Sequence, residues 1–365
     1  MSHAARVERV RARLGAADAL LVTDLTNIRW LTGFTGSNAW VVLRPDALTL
    51  VTDGRYGVQA TQQMAAAGVD GEVVVGATGG VCLDLVAAAC APCSTVAFEA
   101  AHVTYHQHTQ YRSVIAAELV PTTGVVEAER RVKDPAEIEA MARACAIADQ
   151  ALAEVAPLLG DGLTEAQVRN RLELRMRELG ASGPSYDTIV ATGPRNAALP
   201  HHRPTDTVIE QGHTVIIDVG ALVDGYHSDM TRTFVVGEPT PLQDELYQLV
   251  LAAQQAGVAA VRAGMSVKEL DGVCRGIIEE AGYGDWFTHG TGHGVGLLIH
   301  EDPFVNRAGD AILQVGDVVT VEPGVYREGF GGVRVEDLVV VTSDGCRVLT
   351  SSPKDSPCPP SPPTT

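Results

Sequence analysis

Residues 215–234 read VIIDVGALVDGYHSDMTRTF and set the local fold in the second half of the chain. Apolar, β-rich runs flank the dipeptide Asp224-Gly225, which is a strong signal for a two-residue hairpin turn. A turn of this kind pairs Val223 with Tyr226 across two antiparallel strands. The segment therefore predicts a β-hairpin whose register can be counted outward from the turn.

Two aspartates fall on the same face of that hairpin. In the counted register Asp218 lies opposite Thr231 and Asp229 lies opposite Gly220, so the aspartates are diagonal neighbours. Diagonal neighbours have their Cβ atoms roughly 7–8 Å apart. That spacing lets the two carboxylates hold a cation between them.

A second pair of carboxylates lies in a similar arrangement. Residues 318–341 read VVTVEPGVYREGFGGVRVEDLVVV, and two β-rich runs in this segment carry Glu322 and Glu336. The glycine-rich segment 329–332 supplies the turn between the two runs. Folding at this turn brings the glutamates together.

The four carboxylates and one histidine of this region form a set of hard-metal ligands: Asp218, Asp229, His293, Glu322 and Glu336. Such a set can hold two divalent cations around a shared water, which is a hydrolytic centre. Taken singly, each of the four acidic residues is more often a solvated carboxylate at a strand end. Asp218 and Glu322 differ because each follows an apolar run, where an unpaired charge is costly to bury. The complete set favours a metal centre.

The histidine-rich segment 287–303 reads FTHGTGHGVGLLIHEDP. His289 and His293 stand four residues apart, as in the helical HExxH motif, but the intervening glycines make a helix improbable. We therefore expect a loop or strand entry in which only one histidine need be a ligand. His300 and His201 are candidates for hydrogen-bonding a developing oxyanion. The histidines interpreted as ordinary surface or core residues are His202, His213 and His227.

Composition limits the classes of partner and the location. The formal net charge of −18 argues against nucleic acid or an anionic membrane as a partner. No apolar run reaches the ~18 residues of a membrane span, and the first residues lack the apolar core of a signal peptide. Seven scattered cysteines fit a reduced, cytoplasmic compartment. Cys90 and Cys93 form a CxxC that lacks the partner pair of a zinc site.

The 365 residues suggest about two domains. Residues 1–125 alternate helical and strand-like runs, which is typical of a small α/β domain. Residues 126–350 combine capped helices with the two acidic hairpins. Residues 351–365, SSPKDSPCPPSPPTT, are rich in Pro, Ser and Thr, and we expect them to be disordered.

Several motifs resemble the pita-bread metallopeptidases, specifically the Xaa-Pro branch that contains prolidase and aminopeptidase P. They are GPSYDTIVATGPRNAALPHHRP, IDVGALVDGYHSDMTRTF, HGTGHGVGLLIHED, VEPGVY and GVRVEDLV. Upstream, DLTNIRWLTGFTGSNAWVVL and VTDGRY resemble the creatinase-like amino-terminal domain of the same branch. The resemblance implies an α+β fold, with a pita-bread catalytic domain at 126–350 behind a smaller α/β creatinase-like domain at 1–125.

The resemblance also implies a role for each metal ligand. Asp218 would chelate one metal, Asp229 and Glu336 would bridge both, and His293 and Glu322 would complete the other. A metal-bridging hydroxide would then attack the carbonyl that precedes a prolyl nitrogen. Glu322 would also carry the proton to the leaving nitrogen.

In the family, the histidines that match His201 and His300 steady the intermediate and the substrate. The position of His289 lines the proline pocket, together with Arg334 and Tyr326. Without the family, Arg334 is equally a surface arginine on a strand. Arg55 in TDGRY either reaches an active site across a dimer contact or forms a salt bridge within its own domain.

The resemblance leaves several alternatives open. Substrates are proline-containing dipeptides for a dipeptidase or longer oligopeptides for an aminopeptidase. Two metal ions are expected, with Mn²⁺ favoured and Co²⁺ or Zn²⁺ admissible. Family members are commonly homodimers. Related proteins of other function are a metal-independent creatinase-type amidinohydrolase, a methionine aminopeptidase and a non-catalytic pita-bread binding protein.

Overall fold

The computed structural model divides the chain after Arg130, into an N-terminal unit, Met1–Arg130, and a C-terminal unit that begins at Arg131. The sequence placed this boundary at residue 125. The structure describes residues 1–360. Each unit has its own sheets and its own hydrophobic core.

A six-stranded mixed sheet, in the order β4-β3-β2-β1-β5-β6, organises the N-terminal unit. Its strands are Ala19–Val22 (β1), Ala39–Leu43 (β2), Leu48–Asp53 (β3), Glu72–Gly76 (β4), Thr95–Glu99 (β5) and Glu118–Thr122 (β6). Its helices are His3–Arg11 (α1), Leu25–Thr32 (α2), Gly57–Ala67 (α3), Gly79–Cys90 (α4), Tyr105–Val114 (α5) and Glu127–Arg130 (α6). The α/β domain that the alternating pattern predicts is confirmed.

Helix α4 packs its buried face on this sheet and carries the first residue of the CxxC motif. Cys90 is buried in the core with Cys82 and Val86. Burial raises the pKa of Cys90 to about 12 and also raises the pKa of Cys93. Both residues are therefore protonated thiols at neutral pH, which is unlike a reactive or metal-binding pair.

The C-terminal unit combines helices with four small antiparallel sheets. Its helices are Pro135–Val155 (α7), Glu165–Glu178 (α8), Gly193–Asn196 (α9), Pro241–Ala260 (α10) and Val267–Glu280 (α11), with 3-10 turns at Ala156–Leu158 and Gly284–Trp286. Its strands are Gly183–Pro184 (β7), Ile189–Thr192 (β8), Thr214–Asp218 (β9), Ala221–Val223 (β10), Tyr226–His227 (β11), Thr231–Val235 (β12), Gly292–Gly294 (β13), Glu301–Val305 (β14), Val318–Val321 (β15), Gly324–Arg327 (β16), Gly331–Arg334 (β17), Asp337–Val341 (β18) and Cys346–Val348 (β19). The α+β class is confirmed.

The hairpin register predicted from Asp224-Gly225 is confirmed. Val223 pairs with Tyr226, and further out Asp218 pairs with Thr231. Asp224 and Gly225 both have positive φ, 51° and 80°, as a type I′ turn requires. The strand register counted outward from the turn is therefore correct as far as the aspartates.

The second hairpin brings Glu322 and Glu336 together, as the glycine-rich turn predicts. Val321 pairs with Asp337 in one ladder, and Gly324 pairs with Arg334 in the next. The same register runs through both ladders, so the intervening Glu322 lies opposite Glu336. The glycine-rich turn closes this hairpin, with a φ of 87° at Gly329.

Residues 351–358 contact the rest of the C-terminal unit, whereas their composition predicts a disordered tail. The backbone N–H of Val235 donates to the carbonyl of Pro357 at 2.7 Å, and the hydroxyl of Tyr247 donates to the carbonyl of Lys354 at 2.8 Å. Composition alone does not predict these contacts. The donors belong to residues more than 100 positions away in the sequence, and the acceptors are backbone carbonyls. Residues 361–365 lie outside the described residues.

Among residues 1–360, no helix combines the length and the apolar character that a bilayer-spanning helix needs. The side chains of Asp134, Thr164 and Ser266 cap the starts of α7, α8 and α11.

Candidate metal centre

The five predicted ligands lie on neighbouring strand ends of the C-terminal unit. Asp218 ends β9, and Asp229 lies between β11 and β12. His293 is the central residue of β13. Glu322 follows β15, and Glu336 lies between β17 and β18. The backbone N–H of Glu336 donates to the carbonyl of Thr231 at 3.1 Å, which joins the two acidic hairpins.

Ligand atoms of Asp229, His293 and Glu336 lie within 4.8 Å of one another, as a metal site requires. Nδ1 of His293 donates to the carbonyl of Gly294 at 3.1 Å. This fixes the tautomer, so that the lone pair of Nε2 faces the carboxylates. Nε2 lies 3.5 Å from an oxygen of Asp229 and 3.5 Å from an oxygen of Glu322.

Tyr186 links the two aspartates. Its hydroxyl donates to Oδ1 of Asp218 and lies 2.5 Å from Oδ1 of Asp229. The carboxylates are thus close enough to share one donor, as the predicted diagonal arrangement requires. The sequence interpretation missed this tyrosine, because it contacts the aspartates only through the pairing of β8 with β9.

Two hydroxyls orient the glutamates. Thr231 donates its hydroxyl to Oε2 of Glu336 at 2.7 Å, and Thr320 donates its hydroxyl to Oε1 of Glu322 at 3.2 Å. The same Thr320 oxygen accepts the backbone N–H of His293 at 3.0 Å. Such outer contacts fix the direction of metal ligands.

The electrostatics of the cluster favour a cation. Burial, followed by repulsion from Asp218 and Glu322, raises the pKa of Asp229 well above its ordinary range. Burial and the charge of Asp229 do the same for Glu336, and burial raises the pKa of Glu322 to about 7. Burial lowers the pKa of His293, which keeps its imidazole neutral. Crowded carboxylates beside a neutral imidazole are the donor set of a divalent cation.

Arg334 is buried, and its guanidinium donates hydrogen bonds to groups of the protein. Nη2 donates to Oδ2 of Asp218 at 2.7 Å, and Nη1 donates to the hydroxyl of Tyr326 at 2.8 Å. Nε donates to the hydroxyl of Thr231 at 3.0 Å. Arg334 lines the cavity described below, but its described contacts support Asp218 and Thr231.

The ring of His289 is held from both sides. Nδ1 donates to the carbonyl of Gly290 at 2.7 Å, so Nε2 accepts the hydroxyl of Tyr326 at 2.9 Å. Burial and the nearby charge of Arg334 lower the pKa of His289 to about 4, which keeps the ring neutral. His289 therefore offers a ring surface rather than a free nitrogen.

The ligand cluster opens into a cavity of about 420 Å³. His201 and His300 lie on its wall, and the ring of His300 packs edge-on against His293 with centroids 4.4 Å apart. Tyr326 is not among the residues that line the cavity. The lining residues that the sequence interpretation did not single out are Tyr186, Asp187, Ile189, Pro200, Arg203, Ile299, Phe304 and Asn306.

His202 also borders the cavity, but its ring nitrogen lies 2.8 Å from the buried carboxylate of Glu165. Glu165 further accepts the backbone N–H of Thr205 at 2.9 Å. This contact holds the loop that carries His201, which agrees with the structural role that the sequence interpretation gave to His202.

Family models match both units. The model of metallopeptidase family M24 matches residues 139–343, and the model of the creatinase/prolidase N-terminal domain matches residues 6–132. The first match contains every predicted metal ligand.

Relatives are similar over nearly the whole chain. The uncharacterised peptidase YqhT of Bacillus subtilis is 41% identical, over 96% of this chain and 99% of YqhT. The structure of an Xaa-Pro dipeptidase from Bacillus anthracis is 39% identical, with a TM-score of 0.93 over 97% of this chain and 99% of that one. The structure of an X-Pro aminopeptidase from Thermotoga maritima is 34% identical, with a TM-score of 0.87 over 95% of this chain and 98% of that one.

Proposed function

Because the chain belongs to metallopeptidase family M24, we propose that it hydrolyses the peptide bond between an N-terminal residue and a following proline. The observation that carries this proposal is the cluster of four carboxylates and a neutral histidine at the base of a 420 Å³ cavity. A cavity of this size suits a small peptide. Relatives named as an Xaa-Pro dipeptidase and an X-Pro aminopeptidase support the choice of proline.

The donor set fits two divalent cations. Oxygen-rich ligands with one imidazole suit such ions. The raised pKa values of Asp229 and Glu336 reflect burial and then neighbouring carboxylates, whose negative charge bound cations would relieve. When bound, the cations would acidify a water for attack on the peptide carbonyl and neutralise the charge that develops on its oxygen. The residues proposed to hold them are Asp218, Asp229, His293, Glu322 and Glu336.

Glu322 is the proposed proton carrier. Burial raises its pKa to about 7 in the absence of metal, and a carboxylate that lines the cavity can act as a general acid-base group. Thr320 donates to one of its oxygens at 3.2 Å and so orients the carboxylate. The proton would pass to the prolyl nitrogen as the bond breaks.

The histidines on the cavity wall have separate proposed roles. His201 and His300 would donate hydrogen bonds to the carbonyl oxygen as it becomes negative. His289 would pack its ring surface against the proline, because both of its nitrogens are engaged by Gly290 and Tyr326. Tyr326, which does not line the cavity, would act on the substrate through His289, and Arg334, which does line it, would also orient Asp218.

Further proposals concern the metal and the assembly. We propose Mn²⁺ as the metal, with Co²⁺ or Zn²⁺ as alternatives, because the donor set holds no sulfur. A homodimer stays a prediction from the family resemblance. A cytoplasmic location is supported by the seven cysteines, which are all free thiols in the described residues.

The alternative functions do not require the metal-ligand set. A metal-independent amidinohydrolase or a non-catalytic binding protein has no need for four crowded carboxylates, which are costly to keep without cations. The complete ligand set therefore favours the peptidase. Peptide length divides the dipeptidase from the aminopeptidase.

The test is an assay of metal-free and Mn²⁺-loaded protein with Ala-Pro, Ala-Pro-Ala and, as a control, Ala-Ala. We expect cleavage of the Xaa-Pro bond that chelation abolishes and Mn²⁺, Co²⁺ or Zn²⁺ restores. Turnover of Ala-Pro alone identifies a dipeptidase, and turnover of both proline peptides identifies an aminopeptidase. The absence of metal-dependent cleavage of either proline peptide would contradict the proposal.

A further inference from the structure

The C-terminal segment, residues 351–358, is linked by side chains to the stretch between β17 and β18 that carries Glu336. We propose that this segment is a positioning element of the metal centre, which acts through Arg232 and Asp337 to fix the backbone of Glu336. The inference rests on the function proposed above, because it concerns the metal centre proposed there. The contacts that carry it lie outside the ligand set.

Arg232 joins the segment to Glu336 directly. Its side chain is buried, and Nη1 donates to the backbone carbonyls of Glu336 at 2.5 Å and of Thr231 at 2.9 Å. Nε and Nη2 of the same guanidinium donate to the carbonyl of Ser352 at 3.1 and 2.7 Å. One planar group therefore contacts the backbone of a proposed metal ligand and the C-terminal segment.

Asp337 supplies a second link, one residue after Glu336. It accepts Nη2 of Arg232 at 2.9 Å and the hydroxyl of Thr350 at 2.8 Å. Its other oxygen pairs with the ammonium of Lys354, which also donates to Oε1 of Gln254 at 2.8 Å. Lys354 thus neutralises a carboxylate that is almost fully buried.

The segment is anchored independently of these links. Asp149 accepts the backbone N–H and the hydroxyl of Ser351 at 2.8 Å, and the same two groups of Ser352 at 2.9 and 2.8 Å. Four hydrogen bonds from two consecutive residues fix the chain at the point where the Ser352 carbonyl meets Arg232. The anchor explains how a segment rich in Pro and Ser holds one conformation.

Removal of the segment would leave the guanidinium of Arg232 with fewer acceptors and Asp337 with fewer donors. A buried charged group that loses its partners is strongly destabilised. The side chains of Arg232 and Asp337 would therefore shift toward water or toward new partners. Both groups contact the backbone at Glu336, so that ligand would shift with them. Loss of outer contacts of this kind typically weakens metal binding about 10-fold to 100-fold.

Point variants of the full chain test the link through Lys354. Lys354→Met removes the ammonium, Lys354→Arg keeps a cation, and Lys268→Met makes the same chemical change at an exposed position of α11. We expect Lys354→Met to raise the Kd for Mn²⁺ at least about threefold, and Lys354→Arg to recover most of that loss. Lys268→Met should bind Mn²⁺ like the wild type. The readouts are Mn²⁺ titration of metal-free protein and circular dichroism.

Two truncations test the whole segment. A chain that ends at Thr350 loses it, whereas a chain that ends at Cys358 keeps it and serves as the control. We expect the first to bind Mn²⁺ about 10-fold more weakly or worse, and the second to match the wild type. A folded chain ending at Thr350 with wild-type affinity would overturn the inference. If that chain does not fold, wild-type affinity in Lys354→Met would overturn it instead.

The same titration separates this inference from the proposed function. A wild-type protein that binds no divalent cation would refute the metal centre itself. A wild type that binds Mn²⁺ normally, beside variants that are destabilised yet bind it equally well, would refute only the role of the C-terminal segment.

Discussion

Arg334 donates from Nη2 to Oδ2 of Asp218 at 2.7 Å, inside the group of crowded carboxylates. The same guanidinium donates to the hydroxyls of Tyr326 and Thr231. A planar fork with several donors makes these contacts together, whereas a lysine ammonium lacks that geometry. Arg334 therefore links a proposed metal ligand to the residues around His289.

We predict that Arg334→Lys lowers kcat/KM for Ala-Pro about 10-fold to 100-fold while the fold is retained. The reason is that the retained charge cannot reproduce the three directed contacts. Steady-state kinetics with circular dichroism measures both quantities, and Arg347→Lys on the exposed β19 is the control. Wild-type kcat/KM in Arg334→Lys would mean that Arg334 supplies only charge.

Tyr186→Phe removes the hydroxyl that Asp218 and Asp229 share. We expect the Kd for Mn²⁺ to rise about 10-fold, because both carboxylates lose the donor that orients them. Calorimetric titration of the metal-free protein measures the change. Tyr105→Phe, at an exposed tyrosine of α5, should bind Mn²⁺ normally. Equal affinity in the two variants would remove Tyr186 from the site.

The metal-free protein should lose stability as the pH rises. Burial raises the pKa of Glu322 from 4.5 to about 7, so the folded chain holds a proton that the unfolded chain has released. The resulting stabilisation is complete below about pH 4.5 and is lost as the pH rises through about 7. Glu322→Gln keeps a neutral group at every pH. We therefore expect this variant to gain stability relative to the metal-free wild type between pH 5 and pH 8.

Urea unfolding at several pH values measures that difference, with Glu280→Gln at an exposed helix position as the control. A constant difference between Glu322→Gln and wild type across this range would contradict the raised pKa. Added Mn²⁺ should reverse the order at pH 8, because the cation binds the ionised carboxylate of the wild type.

Asp187 and Arg203 form an ion pair on the cavity wall, with side chains that are 75% and 74% exposed. An exposed pair contributes little, so the free carboxylate of a dipeptide can compete for the guanidinium. We predict that Arg203→Met raises the KM for Ala-Pro about threefold and that Asp187→Asn lowers it by a similar factor. Neither change should alter the KM for Ala-Pro amide, which lacks the carboxylate. Shifts of the same sign in both variants would assign the pair a structural role.

The sequence predicts the ligand pairs because their registers are local. A two-residue turn at Asp224-Gly225 leaves one way to count toward Asp218 and Asp229, and the structure keeps that count. For the glutamates, the second glycine turn predicts only that the two strands fold together, and the structure supplies the register. Short-range hydrogen bonding therefore determines which carboxylates meet.

The features that the sequence did not predict depend on long-range pairing. Tyr186 reaches the aspartates because Ile189 pairs with Asp218 across β8 and β9, and a single sequence gives no signal for that partnership. The C-terminal segment has the composition of a disordered tail, yet Asp149 holds Ser352 from more than 200 positions away. Composition predicts whether a segment can build its own core but not whether distant side chains will bind it.

The central claim is that the acidic cluster holds catalytic metal ions. The most direct test measures Mn²⁺ stoichiometry and Ala-Pro hydrolysis on the same samples of wild type, Asp229→Ala and Glu336→Ala. We predict two bound Mn²⁺ ions and metal-dependent cleavage in the wild type, with both lost in each variant while circular dichroism stays unchanged. Full hydrolysis of Ala-Pro by either variant, or by wild-type protein stripped of metal, would contradict the claim.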